Sequence, residues 1–251
     1  MCAKLPSLCV GMLSVLLMTS GALGASPVVL DEDPNLAGWW KFDETSGKAA
    51  ADASKHARSA MLKGSLSFEK NSARGRVGKA IAFEDSDAHV EVTKYKGVAG
   101  TQPRTVAVWI KTTTSQGRIV SWGTDDFGKM WNLRFVRGHV GVTPKGGYLY
   151  MNEAVDDNEW HHIAGVVQEA ELPNLHDDVT LYLDGEVAEI HDIGLLDLWP
   201  LETGSDLNVQ IGQGFKGLLD DLRIYSRALS DEEIKVLFTL KSHRPVPKAG
   251  K

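Results

Sequence analysis

A chain of 251 residues with 43% hydrophobic and 24% charged residues has the composition of a folded globular protein, which excludes wholesale disorder and a multispanning membrane protein. Its formal net charge of −6 argues against nucleic acid as the main partner, because such binding rests on a basic surface. The length suits a single β-sandwich, which runs to about 200–250 residues.

The first residues read as an export signal. Lys4 supplies a positive start, Leu8 to Met18 an apolar run, and Ser20-Gly21-Ala22-Leu23-Gly24-Ala25 the small residues that cleavage needs. The apolar run is shorter than the ~20 residues a spanning helix requires, so residues 1–24 are expected to be a signal peptide rather than an anchor. The mature chain is then expected outside the cell or in the periplasm, with no membrane span. Cleavage after Gly24 removes Cys2 and Cys9, leaving no disulfide or thiolate metal site, and removes Lys4, taking the charge from −6 to −7.

An acidic, proline-containing leader over 25–35 precedes Ala37-Gly38-Trp39-Trp40-Lys41-Phe42-Asp43, a first strand that Asp43-Glu44-Thr45-Ser46-Gly47 ends in turn chemistry. The alanine-rich stretch to Ala60 reads as loop or short helix, with Asp52 placed to cap or turn the backbone. Short alternating segments then recur: Lys79 to Glu84, His89 to Thr93, Thr105 to Lys111, Arg118 to Trp122, Met130 to Val136, Val140 to Thr143, Tyr148 to Met151, Trp160 to Gln168, Val179 to Leu183, Val187 to Ile190 and Asn208 to Ile211. Many short strands between glycine and polar turns predict an all-β sandwich or barrel. Leu183-Asp184-Gly185-Glu186 predicts a hairpin through a type I′ turn, and Gln168 to Asp178 a surface loop. No internal repeat interrupts the pattern, so 36–240 is expected to be one domain. The tail 241–251, basic and carrying two prolines, is expected to be disordered.

The last strand, Leu218 to Tyr225, alternates with Leu218, Leu222 and Ile224 on one face, which places Asp220 among them. An unpaired carboxylate on a core face costs several kcal/mol, roughly 2–7 for a polar group and more for a charge, so Asp220 requires donors or a cation. Ser230 and Glu233 form a capping box, with Leu229 and Ile234 as its hydrophobic staple, so a helix is predicted from Asp231 with Ile234, Leu237 and Phe238 on its core face.

Four motifs carry a resemblance in this order: Gly38-Trp39-Trp40-Lys41-Phe42-Asp43-Glu44, Asn158-Glu159-Trp160-His161-His162-Ile163-Ala164-Gly165-Val166, Leu181-Tyr182-Leu183-Asp184-Gly185, and Leu219 to Ile234. Together they resemble laminin G-like jellyroll domains of the concanavalin A-like lectin and glucanase superfamily. The resemblance implies a jellyroll sandwich of two antiparallel sheets, one concave, with a short C-terminal helix. It also implies a structural Ca²⁺ held by Asp220 and the neighbourhood of Asp43, with oxygen ligands of the kind this cation prefers. The competing reading is that Asp220 accepts backbone N–H bonds from the first turn.

The ligand-binding expectation follows from alternation. Trp131, Leu133 and Phe135 read as core, leaving Asn132 and Arg134 outward. Val106, Val108 and Ile110 read as core, leaving Trp109 and Lys111 outward, and Tyr148 and Tyr150 share a further face. On the concave sheet these six would form a polar and aromatic groove for a glycan. A secreted, non-catalytic glycan-binding module is therefore expected. A protein-binding adhesion or assembly module, which would show an exposed apolar patch, is the alternative. A divergent glycoside hydrolase is third, because retaining enzymes need two carboxyls about 5–5.5 Å apart and the nearest run, Glu153 to Glu159, lacks the E-x-D-x-x-E spacing of the superfamily's glucanases. His161 and His162, adjacent on a strand, point to opposite faces and cannot share a metal. One of them is expected to be hydrogen-bonded at the sheet edge.

Overall fold

The structure is a computed structural model that describes residues 30–194 and 199–240. The expected signal peptide, the leader as far as residue 29 and the basic tail lie outside the described residues. Along the chain run β1 (Leu36–Trp40), β2 (Ala49–Ala50), β3 (Ala60–Lys63), α1 (Phe68–Asn71), β4 (Ser72–Arg74), β5 (Lys79–Phe83), β6 (His89–Val92), β7 (Arg104–Lys111), β8 (Arg118–Gly123) and β9 (Met130–Val136). There follow β10 (His139–Val142), β11 (Tyr148–Met151), β12 (Trp160–Val167), β13 (Val179–Leu183), β14 (Glu186–Val187), β15 (Ile190–Gly194), β16 (Leu207–Ile211), β17 (Gly217–Tyr225) and α2 (Asp231–Thr239). Among the described residues no helix is long and apolar enough to cross a membrane.

The strands form two antiparallel sheets stacked as the expected jellyroll sandwich. One has the order β14-β13-β12-β7-β17-β5-β4, with β1 also paired to β17, and the other the order β15-β11-β10-β9-β8-β16-β6-β3-β2. The main core lies between them and takes Val106, Val108 and Ile110 from β7 and Trp131, Leu133 and Phe135 from β9, so the alternation read in these segments is the one observed. A second core lies on the outer face of the eight-stranded sheet. There Ala107, Ala164, Val166, Tyr182 and Tyr225 pack beneath Leu30, Leu36 and Trp39 and beneath Ile234 and Leu237 of α2. Both helices lean on this sheet, α1 against β5 and α2 against β14.

Helix α2 begins as its sequence dictates. Ser230 Oγ accepts from the Glu233 N–H at 3.3 Å and Glu233 Oε2 accepts from the Ser230 N–H at 2.9 Å, while Leu229 and Ile234 are buried together. The Asp-Gly hairpin also forms, with Asp184 and Gly185 at φ of 51° and 85° between the paired Leu183 and Glu186. Asp52 organises the alanine-rich stretch, accepting from the N–H groups of Trp39, Ser54 and Arg58 at 2.8–2.9 Å, and β2 and β3 form around that turn.

Three segments differ from their sequence reading. The first strand ends at Trp40, because Phe42 takes a left-handed φ of 57° that turns Asp43 out of the strand. Val187 to Ile190 is not one strand: β14 joins the eight-stranded sheet and β15 the nine-stranded one, so the chain crosses the sandwich between them. In β17 the register slips between Asp220 and Arg223, with Asp221 at φ of 49°, a β-bulge that absorbs an extra residue. Leu219, Leu222 and Ile224 therefore share the main core, and Asp220 lies opposite Trp109 on the outer face rather than among them.

Candidate functional site

The outer face of the nine-stranded sheet gathers four of the six expected ligand-binding residues. Register aligns Arg118, Arg134, Gly141 and Tyr150 across β8, β9, β10 and β11. Gly141 is needed in that row, because a Cβ there would collide with the Leu149 carbonyl and the Tyr150 side chain. The Tyr150 ring lies 5.8 Å from that of Tyr148, 5.5 Å from His139 and 5.4 Å from His191, and His139 stacks on His191 at 5.3 Å. The Arg137 guanidinium sits 4.9 Å over the Tyr148 ring. Asn132 belongs to the next row, opposite Ser121. Its Nδ2 donates to the Thr143 carbonyl at 3.1 Å, while its Oδ1 and the Nδ1 of His139 are buried without a partner. Tyr150 and Asn132 are only 3% and 5% exposed, so they form the floor of the face, and Tyr148, Arg134, His139 and His191 present its accessible surface.

The other two expected residues are elsewhere. Trp109 does turn away from the main core, but the face it turns to is roofed: Phe238 stacks on it at 5.5 Å, His162 packs at 5.2 Å and Arg76 lies 4.7 Å over the ring, leaving it 1% exposed. It is a core residue, not a ligand platform. Lys111 lines a cleft of about 430 Å³ on the eight-stranded sheet with Arg74, Arg76, Trp160 and Leu218.

Asp43 and Asp220 hold one loop from two sides. Asp43 Oδ1 accepts from the Lys79 N–H at 2.8 Å, and Asp220 Oδ2 accepts from the Val77 N–H at 2.8 Å. The backbone donor to Asp220 thus comes from the β4–β5 loop and not from the first turn. Asp220 is fully buried and its Oδ1 has no partner. Burial, reinforced by the neighbouring Asp221 and Asp43 charges, pushes its carboxyl up to about 8. An orphaned, desolvated carboxylate oxygen close to a second carboxylate fits a hard cation with oxygen ligands. Among the described residues no cluster of three or more His, Cys, Asp or Glu side chains forms, so backbone carbonyls or water would complete the set.

The two histidines have separate, structural surroundings. His162 is buried against Trp109, and burial pushes it down to about 4. His161 lies 2.9 Å from Asp184 and 3.2 Å from Asp157; burial alone would lower its pKa, but the two carboxylates outweigh that and raise it. Of the acidic run, Asp157 is engaged with His161 and with the Glu159 N–H, whereas Glu153 is half-buried with Oε2 unpartnered.

Sequence reasoning missed His139, His191 and Arg118, although His139 follows from the same alternation that buries Val140 and Val142. It also missed Phe127 and Trp199, 51% and 40% exposed, which stack at 5.2 Å over a cleft of about 260 Å³. These two lie 72 positions apart, so no local pattern joins them.

Comparison with known proteins accords with this architecture. Domain 4 of AbnA, a GH43 extracellular arabinanase from Geobacillus stearothermophilus in complex with arabinotriose, superposes with a TM-score of 0.58 at 17% identity, covering 82% of this chain and 98% of that one. The receptor binding domain of botulinum neurotoxin D superposes with a TM-score of 0.50 at 15% identity, covering 81% of this chain and 52% of that one. At these identities the likeness shows the fold alone. No curated protein matches the sequence. A family model described as the Concanavalin A-like lectin/glucanases superfamily matches residues 84–235, more than half of the chain, and the protein belongs to that laminin G-like family.

Proposed function

We propose that the protein is an exported, non-catalytic glycan-binding module that uses the outer face of the nine-stranded sheet. The observation that carries the reading is the convergence of Tyr148, Tyr150, His139 and His191 beside Asn132 and Arg134, with Tyr148, His139, His191 and Arg134 at the accessible surface. Aromatic rings stack on sugar faces, and a few accessible polar groups such as Arg134 and His191 orient the hydroxyls. The arabinotriose-bound arabinanase domain of the same fold supports it. A structural Ca²⁺ at Asp43 and Asp220 is part of the proposal and would remove the cost of the buried charge.

The test is retention of the secreted protein on a panel of immobilised polysaccharides, alongside Tyr148→Ala and His191→Ala. At least one glycan is expected to bind, about tenfold or more weakly to the variants, since stacking contacts are worth about 0.5–1.5 kcal/mol beyond the area they bury. A panel with no ligand, or a ligand indifferent to both substitutions, refutes the reading. One observation favours protein binding as a second reading: the exposed Phe127 and Trp199 pair is the kind of apolar patch an assembly surface presents.

A further inference from the structure

The nine-stranded face carries a cation pair that the fold leaves uncompensated. Arg118 and Arg134 are direct cross-strand partners on β8 and β9, a placement in which like charges repel. Arg134 is half-buried, and burial first and the Arg118 charge second hold its guanidinium below the ordinary value. Among the described residues neither side chain meets a carboxylate: Arg118 donates to Gln213 Oε1 at 2.7 Å and Arg134 Nε to the Phe135 carbonyl at 3.0 Å.

Acid is not in short supply, with 33 Asp and Glu against 27 Lys and Arg. Two other arginines of the chain are paired with acids, Arg223 with Asp31 and Asp221, and Arg227 with Asp33 and Glu233. The row's aligned acidic residue, Asp192, is the register partner of Tyr150 on β15, three strands and roughly 14 Å of backbone from Arg134.

We infer that the glycan taken by this face is anionic, its carboxylate or sulfate groups bound by the Arg118 and Arg134 guanidiniums while a ring packs on the accessible Tyr148 and His191. The inference rests on the glycan-binding reading above and names its ligand class. Guanidinium is the group whose fork matches a planar carboxylate or a sulfate edge with two hydrogen bonds, and such charge-assisted bonds are about twice as strong as neutral ones. An incoming anion would also relieve the repulsion that the empty pair carries.

The experiment uses matched polysaccharides on the full mature chain: dextran, carboxymethyl-dextran and dextran sulfate, and homogalacturonan with its methyl ester, by affinity electrophoresis and calorimetry. At least one acidic member is expected to bind about tenfold or more tightly than its neutral counterpart, with the carboxylate and sulfate arms separating the two sources of charge. Arg118→Gln and Arg134→Gln are each expected to lose about tenfold, Arg134→Lys less, and added salt to weaken the wild type. Arg74→Gln and Lys111→Gln, in the cleft of the other sheet, are expected to bind as the wild type. Should Arg134→Gln not fold, Arg118→Gln and the salt dependence of the wild type carry the test.

Binding that ignores charge yet depends on Tyr148 overturns the inference and leaves the glycan reading standing. Loss in Arg74→Gln or Lys111→Gln with no loss in the Arg118 and Arg134 variants moves the anion to the other cleft and overturns it too. No binding to any neutral or acidic polymer removes both.

Discussion

Replacing Asp220 by asparagine separates the charge of that side chain from its hydrogen bond. The amide keeps an oxygen for the Val77 N–H, which Asp220 Oδ2 now accepts at 2.8 Å, but needs no cation. Burial raises the wild-type carboxyl from 3.8 to about 8. A shift of about four units corresponds to on the order of 5 kcal/mol set against the ionised form. The sign follows from proton binding: a carboxyl with a raised folded pKa holds its proton more tightly when folded, so its contribution is complete below the unfolded value and is lost as pH climbs through the folded one. Without a cation, wild-type stability is therefore expected to fall between about pH 4 and pH 8. A cation that binds only the folded chain returns RT ln(1 + [L]/Kd), about 2.7 kcal/mol at a hundredfold excess over Kd. At about 2–4 °C per kcal/mol for a domain of this size, calcium should raise Tm by about 5–11 °C. The assay is differential scanning fluorimetry at acidic and at mildly alkaline pH, with calcium or with chelator. Asp220→Asn is expected to melt above the wild type in chelator at the higher pH and to ignore calcium. A wild type with one Tm in calcium and chelator removes the ion from the structure. If its Tm is also flat across that pH range, the desolvation argument fails with it.

Trp109→Ala is expected to destabilise the fold by about 3–5 kcal/mol in urea unfolding while leaving glycan affinity of the folded fraction unchanged, because the ring is core beneath α2; a selective loss of binding would return it to the ligand site. Ser230→Ala should cost about 0.5–2 kcal/mol through the lost helix cap, and an unchanged denaturation midpoint would contradict the capping geometry. Asp184→Asn keeps an oxygen for the His162 N–H but removes the charge that faces His161. Because His161 is raised, the stability lost in this variant is expected to be greatest below pH 6.5 and to shrink as pH rises through its elevated value; a difference that is constant from pH 5 to about 8 would show that the pair is not titrating.

What lies within a few residues of itself was legible in the chain. Period-two alternation placed Val106, Val108 and Ile110, and Trp131, Leu133 and Phe135, on core faces, since successive strand side chains must point to opposite sides. Ser230 with Glu233, and Asp184 with Gly185, set a helix start and a hairpin because a capping box and a left-handed turn each close over a few residues. Alternation also says that two faces exist, and it is silent on what covers them. Trp109 and Tyr148 have equal claims in sequence, yet Phe238, 129 positions beyond Trp109, roofs one, while the other stays partly exposed on the outer face of the nine-stranded sheet. The bulge at Asp221 likewise moved Leu219 into the core and Asp220 out of it, because one inserted residue reverses every alternation before it. The meeting of Arg118, Arg134, Gly141 and Tyr150 in one row was decided by the register of four strands, a long-range choice fixed by burial of all their inner faces at once rather than by any one segment.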